Sequence, residues 1–216
     1  MKRTMLLLSF LFSLSLFSQK DSLELGDKYL EDQLYFGVTY NQLYNQPDAV
    51  LGSGCSYGVS GGYIRDISLV KSGKVALGIG VGYAYDTFNH GYKVTGLSNS
   101  IAIEVDPTIT TRSGLTLHSL EFPFEIRWRT SDANKYKFWR IYTGLKMSYN
   151  FKNSIEYSGN SYENFDQYNK VQYGLTLAAG YSTFNFSIYY GLTPLFDGVS
   201  SIDTKQIKLG ILFYIL

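Results

Sequence analysis

Residues 75–85 read VALGIGVGYAY, with large apolar or aromatic side chains at odd positions and Gly or Ala at even ones. A period of two is a β-strand, because successive side chains point to opposite faces. Neither face here is polar; one is merely small. That suits a strand with lipid on one side and a crowded lumen on the other.

Seven further segments repeat the period. Leu34, Phe36, Val38 and Tyr40 alternate with Gly37 and Thr39, and Tyr57, Val59, Gly61 and Tyr63 with Gly58, Ser60 and Gly62. Leu120, Phe122, Phe124, Ile126 and Trp128 are interleaved by Glu121, Pro123, Glu125 and Arg127. Trp139, Ile141, Thr143, Leu145, Met147 and Tyr149 are interleaved by Arg140, Tyr142, Gly144, Lys146 and Ser148. The same alternation runs through residues 171–181, 184–190 and 207–215. Each segment is close to the roughly 9–11 residues that a tilted transmembrane strand needs.

The connections fall at about residues 42–55, 66–73, 87–116, 130–135, 152–169, 182–183 and 193–204, alternately long and short without exception. An outer-membrane barrel with both ends in the periplasm has short periplasmic turns and long extracellular loops. The predicted fold is therefore all-β: an eight-stranded antiparallel up-and-down transmembrane barrel over residues 33–216. Trp128 and Trp139 flank one periplasmic turn, while Tyr83 and Tyr85, with Tyr40 and Tyr149, lie toward the outer ends. Amphipathic rings concentrate at the two bilayer interfaces.

Eight strands leave an interior just wide enough to be filled by side chains, so the pattern argues against a diffusion pore. The inward positions of the second and third strands are small. Those of the fourth and fifth carry Glu121, Glu125, Arg127, Arg140 and Lys146, and the last strand adds Lys208. These six form a predicted structural charge cluster in the lumen. A register guessed from the short turn at Asp132 and Ala133 pairs Glu125 with Arg140. Pro123 lacks an N–H, and a closed barrel has no edge to hide the missing ladder bond, so a bulge or local bend is expected there.

Ahead of the barrel, Lys2 and Arg3 precede a short apolar run from Met5 to Phe17, followed by Ser18 and Gln19. This reads as a secretory signal peptide over residues 1–19, implying Sec export to a Gram-negative outer membrane. Residues 20–32 then form a short periplasmic segment that could contact a partner. The chain has 20 Tyr, 14 Phe and 21 Gly against 4 Pro, a composition that favours strands over helices. Its formal net charge of +1 gives no electrostatic reason to expect nucleic acid. The single Cys55 excludes an intrachain disulfide and reads as a small residue at a strand start.

The candidate chemistry is thin. His90 and His118 bracket the second long loop, with Asp86 and Asp106 near in sequence. His118 shares the parity of Leu120 and points outward, whereas Ser119 points inward, so the two make no same-face pair. No metal-ligand spacing, cofactor motif or catalytic constellation emerges. Loops 87–116 and 152–169 are rich in Asn, Ser, Tyr, Gly and Thr with few apolar anchors, which suits surface exposure or a protein interface. Residues 99–105 alternate again and predict a hairpin above the membrane.

Three stretches together, SLEFPFEIRWRT at 119–130, KYKFWRIY at 135–142 and IKLGILFYIL at 207–216, resemble the PorT family of small outer-membrane barrels. The resemblance implies an eight-stranded barrel, linked for its named member to type IX protein secretion and gliding, with no catalytic motif and no cofactor. It points to a non-enzymatic accessory component of a secretion or envelope assembly. Such a component would touch outer-membrane lipid and other envelope proteins through its loops or N-terminal segment. A stand-alone structural or adhesion-type barrel is the alternative, and a lipid-modifying enzyme the third class.

Overall fold

The computed structural model describes residues 32–50, 54–70, 72–97, 100–110, 112–130, 139–197 and 202–215. The expected signal peptide, nearly all of the 20–32 segment and the turn at Asp132 and Ala133 lie outside them. Eleven strands form among the described residues: β1 (Gln33–Tyr44), β2 (Tyr57–Ser68), β3 (Val75–His90), β4 (Lys93–Leu97), β5 (Ser100–Glu104) and β6 (Ser113–Arg129), then β7 (Trp139–Tyr157), β8 (Asn160–Glu163), β9 (Val171–Tyr181), β10 (Phe184–Gly191) and β11 (Lys205–Ile215).

Eight of them make the barrel wall, in the order β6-β3-β2-β1-β11-β10-β9-β7, and the β6–β7 pairing closes it. Every pairing is antiparallel. Closure leaves no free edge within the wall, the condition for crossing a bilayer with strands. Outward positions such as Leu34, Phe36, Val81, Leu145, Leu175, Phe186 and Leu209 are large, apolar and exposed.

The wall is far from level. β3 has 16 residues, β6 has 17 and β7 has 19, whereas β10 has 8. The alternation seen in the sequence covers only the membrane-crossing part of the three long strands. Above it they continue to pair: Phe88 with Leu115, His90 with Ser113, Leu115 with Ile155. Residues expected to be loop are therefore wall. The hairpin expected near residues 99–105 is present as β4 paired with β5.

Two register expectations are corrected. Glu125 faces Gly144, and Arg140 faces Arg129, so the proposed Glu125–Arg140 bridge does not exist. Nor is there a bulge at Pro123. Its pairing with Lys146 is regular, and the β3 ladder keeps one register across it, from Ile79–Phe124 to Gly82–Glu121. The ring sits opposite Gly80, where a Cβ would lie 3.1 Å from Pro123 Cγ. Small residues on β3 thus accommodate the proline without a shift of register.

The irregularity lies elsewhere. Ser119 pairs with Asn150, but His118 pairs with Lys152, leaving Phe151 as the extra residue of a β-bulge. Inward parity on β7 changes there, from Ser148 and Asn150 below to Asn153 and Ile155 above. Phe151 and Lys152 consequently stand side by side on the outer surface.

Candidate functional site

The interior is built in tiers. At the periplasmic end, Arg127 and Arg129 are fully buried, and each places Nη1 2.5 Å from a different oxygen of Asp66. Arg127 Nε also donates to Glu125 at 3.1 Å, and Arg129 Nε to the Gly73 carbonyl at 2.9 Å. The Arg127 guanidinium lies 4.3 Å from the Tyr142 ring centroid, and that of Arg140 lies 6.0 Å from Tyr214. Buried charges demand such pairing, because desolvation otherwise exceeds what packing returns.

Midway, Lys146 Nζ meets Glu121 at 2.6 Å beneath the face of Tyr189. A residual cavity of about 60 Å³ remains here, among Tyr35, Glu121, Glu125, Lys146, Tyr189 and Lys208. The charged groups of Glu121, Lys146 and Lys208 in an otherwise largely apolar wall, and the hydroxyls of Tyr35 and Tyr189, which have no protein partner, suit a few ordered waters.

The uppermost lumen tier is hydrogen-bonded across the barrel. Asn41 Nδ2 donates to Asp86 at 2.9 Å, and Lys208 pairs with the other Asp86 oxygen. Ser119 donates to Asn150, Gln206 to Gln172, and Gln172 to the Tyr168 hydroxyl at 2.9 Å. Of the predicted cluster, Glu121, Glu125, Arg127, Arg140 and Lys208 are buried and Lys146 is half-buried, all facing inward. The network also uses Asp66, Asp86 and Arg129. Each continues the inward parity of its strand by two or more positions, and counting that far would have found it.

Above this tier polarity inverts. Leu43, Phe88, Leu115, Leu117 and Ile155 point inward and pack with Tyr92, Val94, Ile101, Ile103, Phe165, Tyr168, Leu195, Phe196 and Ile202 into one buried apolar core. The outward neighbours become Gln42, Thr87, Asn89, Thr116, Ser154 and Glu156. Loops expected to have few apolar anchors thus form, in their described residues, a compact head over the barrel. Gln167 Oε1 accepts from Ile103 N–H at 3.1 Å, tying the β4–β5 hairpin to the segment before β9.

The two histidines are separated by the wall. His90 is fully buried in the head, where desolvation pushes its pKa down to about 3. Its Nδ1 accepts from Tyr92 N–H at 3.2 Å. Its cross-strand neighbour Ser113 donates to the Tyr92 carbonyl at 2.9 Å, so this buried pair presents no free nucleophile. His118 faces outward, with Nδ1 2.7 Å from the Tyr83 hydroxyl. At the head's edge, Thr108 and then Lys93 hold the Asp106 carboxyl down to about 2. Cys55 is exposed in the bend before β2 rather than in the strand.

The interfacial aromatics divide as follows. Trp128 and Trp139 are exposed at the periplasmic end, Trp139 against Tyr181. Tyr83 and Tyr85 flank His118 at the outer end.

No match emerges among curated proteins. Among solved structures, the crystal structure of Ail, the attachment invasion locus protein of Yersinia pestis, is similar at 12% identity. That match has a TM-score of 0.34 and covers 85% of this chain and 97% of Ail. The family model described as outer membrane protein beta-barrel domain matches residues 17–197. The chain therefore belongs to the outer membrane protein beta-barrel domain family and is an eight-stranded barrel of the outer membrane.

Proposed function

We propose that this protein is a closed, non-enzymatic barrel that acts by binding, presenting its extracellular head to a partner in the envelope. The observation that carries the reading is the apolar core of the head, which seals the lumen and holds the long connections in one shape. Ordered connections on a rigid scaffold are suited to recognition. Among the described residues, ion pairs fill the barrel below and hydrocarbon above, which supports a barrel without a continuous aqueous route.

The PorT-type resemblance supports a specific version: an accessory component of protein secretion of the type IX kind, exported by the Sec pathway after loss of residues 1–19. Deleting the gene and assaying secreted type IX cargo tests it, with impaired secretion expected and normal secretion overturning that version.

The one-sided rise of β3, β6 and β7 favours a second reading, a stand-alone surface-binding barrel. Cross-linking in intact cells followed by recovery from detergent separates the two. A stoichiometric envelope partner supports the accessory role, and its absence supports the stand-alone role. In planar bilayers the purified barrel is expected to give no conductance steps, and regular single-channel steps would overturn the closed-barrel reading.

A further inference from the structure

The bulge at Phe151 assembles a side-chain group on the outer wall that the binding head does not use. His118 is its centre. Its ring lies 5.2 Å from Tyr85, 6.1 Å from Tyr83 and 6.3 Å from Phe151, and Tyr85 continues to Tyr57 at 6.4 Å. Without the extra residue, strict alternation would put Phe151 and Lys152 on opposite faces. With it, the Phe151 ring lies beside the imidazole and Lys152 is the cross-strand partner of His118 on the same outer surface.

Position identifies what meets this group. It lies where the outward face changes from apolar, at Leu120 and Tyr149, to polar, at Thr116 and Ser154. It faces sideways from the tall wall and is continuous below with the lipid-facing belt. The molecule beside it is therefore a lipid, met at the level of its headgroup. Flat aromatic faces suit sugar rings. The ammonium of Lys152 and the His118 ring edge not bonded to Tyr83 suit a phosphate. Above them Thr87, Thr116 and Ser154 form a cross-strand row of short hydroxyl side chains that leaves room for a saccharide.

We propose that this patch is a binding site for the phosphorylated saccharide headgroup of an outer-leaflet glycolipid. Lys152 is not wholly committed elsewhere: its 3.5 Å approach to Glu163 joins two solvent-exposed side chains, an arrangement that contributes little. Glu163 instead acts as a brake on anion binding.

The test uses the full-length folded protein in detergent, with lipopolysaccharide as the probe and phosphatidylglycerol as the comparison anion. Binding is followed by retention of fluorescent lipid and by the rise in thermal unfolding temperature. Folding of every variant is checked by heat-modifiable gel mobility. The His118→Ala/Lys152→Ala double variant is expected to lose about tenfold or more in affinity for lipopolysaccharide. Glu163→Gln, which leaves every aromatic ring in place, is expected to bind it more tightly. Wild-type affinity in the double variant, or equal binding of phosphatidylglycerol by the wild type, would overturn the proposal and leave the patch as an ordinary interfacial girdle.

Discussion

Leu117 and Ser119 are consecutive inward-facing residues of β6, yet Leu117 packs into the apolar head while Ser119 donates to Asn150 in the polar lumen. The same boundary separates Leu43 from Asn41 and Phe88 from Asp86. Below it the chain is ordered as a membrane protein, polar within and apolar without. Above it the order is that of a water-soluble protein. One continuous strand serves both because the inside and outside of a barrel exchange solvent at the bilayer surface, not at a strand end.

The boundary predicts that head and barrel can be weakened separately. Leu117→Ala removes a buried side chain from the head and is expected to cost about 2–5 kcal/mol there. Limited proteolysis of the extracellular segments should become faster, while the heat-modifiable mobility of the barrel persists. Loss of the folded gel form together with the head would show that the two are one cooperative unit.

In the lumen, the expected weak point is Asp66. Its carboxylate is shared by two buried guanidinium groups, so Asp66→Ala takes a buried counter-charge from both, leaving Arg127 its bond to Glu125 and Arg129 its bond to the Gly73 carbonyl, and should lower stability by about 3–5 kcal/mol. Breaking the exposed Lys152–Glu163 contact should change it by no more than about 1 kcal/mol. Urea unfolding in detergent micelles measures both, and equal effects would contradict the lumen network.

The small face of β3 is expected to resist enlargement. A Cβ on Gly82 would lie 2.9 Å from Tyr35 Cζ and 3.0 Å from the Gly61 carbonyl oxygen. Gly82→Val therefore has to displace the Tyr35 ring that lines the central cavity, and about 1–3 kcal/mol or more of strain is expected. Reduced yield of the folded gel form on refolding reports it, and Gly114→Val in the head is the control, because its nearest neighbour is 3.8 Å away.

Much of this was legible in the sequence, and the part that was not has a definite cause. The eight strands, their antiparallel order and the filled lumen follow from period-two alternation and loop lengths alone. The upper reaches of β3, β6 and β7 did not, because Phe88, Leu115, Leu117 and Ile155 keep the alternation but exchange its meaning. A reader tracking apolar side chains outward sees the pattern fail there and ends the strand. The bulge hid β7 further, since Phe151 shifts its parity. The Glu125–Arg140 pairing failed because register depends on turn geometry, which alternation does not carry. Asp66 and Arg129 lay just past the apparent strand ends, on the inward parity throughout.

The last expectation concerns acid. His90 sits beside Tyr92 and Phe196, with no hydrogen-bond partner for Nε2. Nδ1 accepts from the Tyr92 amide, so the neutral ring carries its proton on Nε2. Burial pushes its pKa down to about 3, whereas an exposed histidine titrates near 6.5. Between those values the opened head binds a proton that the closed head refuses. The closed form is therefore at full strength above about pH 6.5 and is lost progressively as pH falls toward 3. Asp106, held down to about 2 by Thr108 and Lys93, responds only lower, as pH falls below its ordinary value of 3.8. Proteolysis of the head with an acid-tolerant protease should accelerate between pH 7 and pH 4.5 in the wild type, and the acceleration should be much smaller in His90→Leu. Identical pH profiles for the two proteins would show that His90 is not the group that titrates.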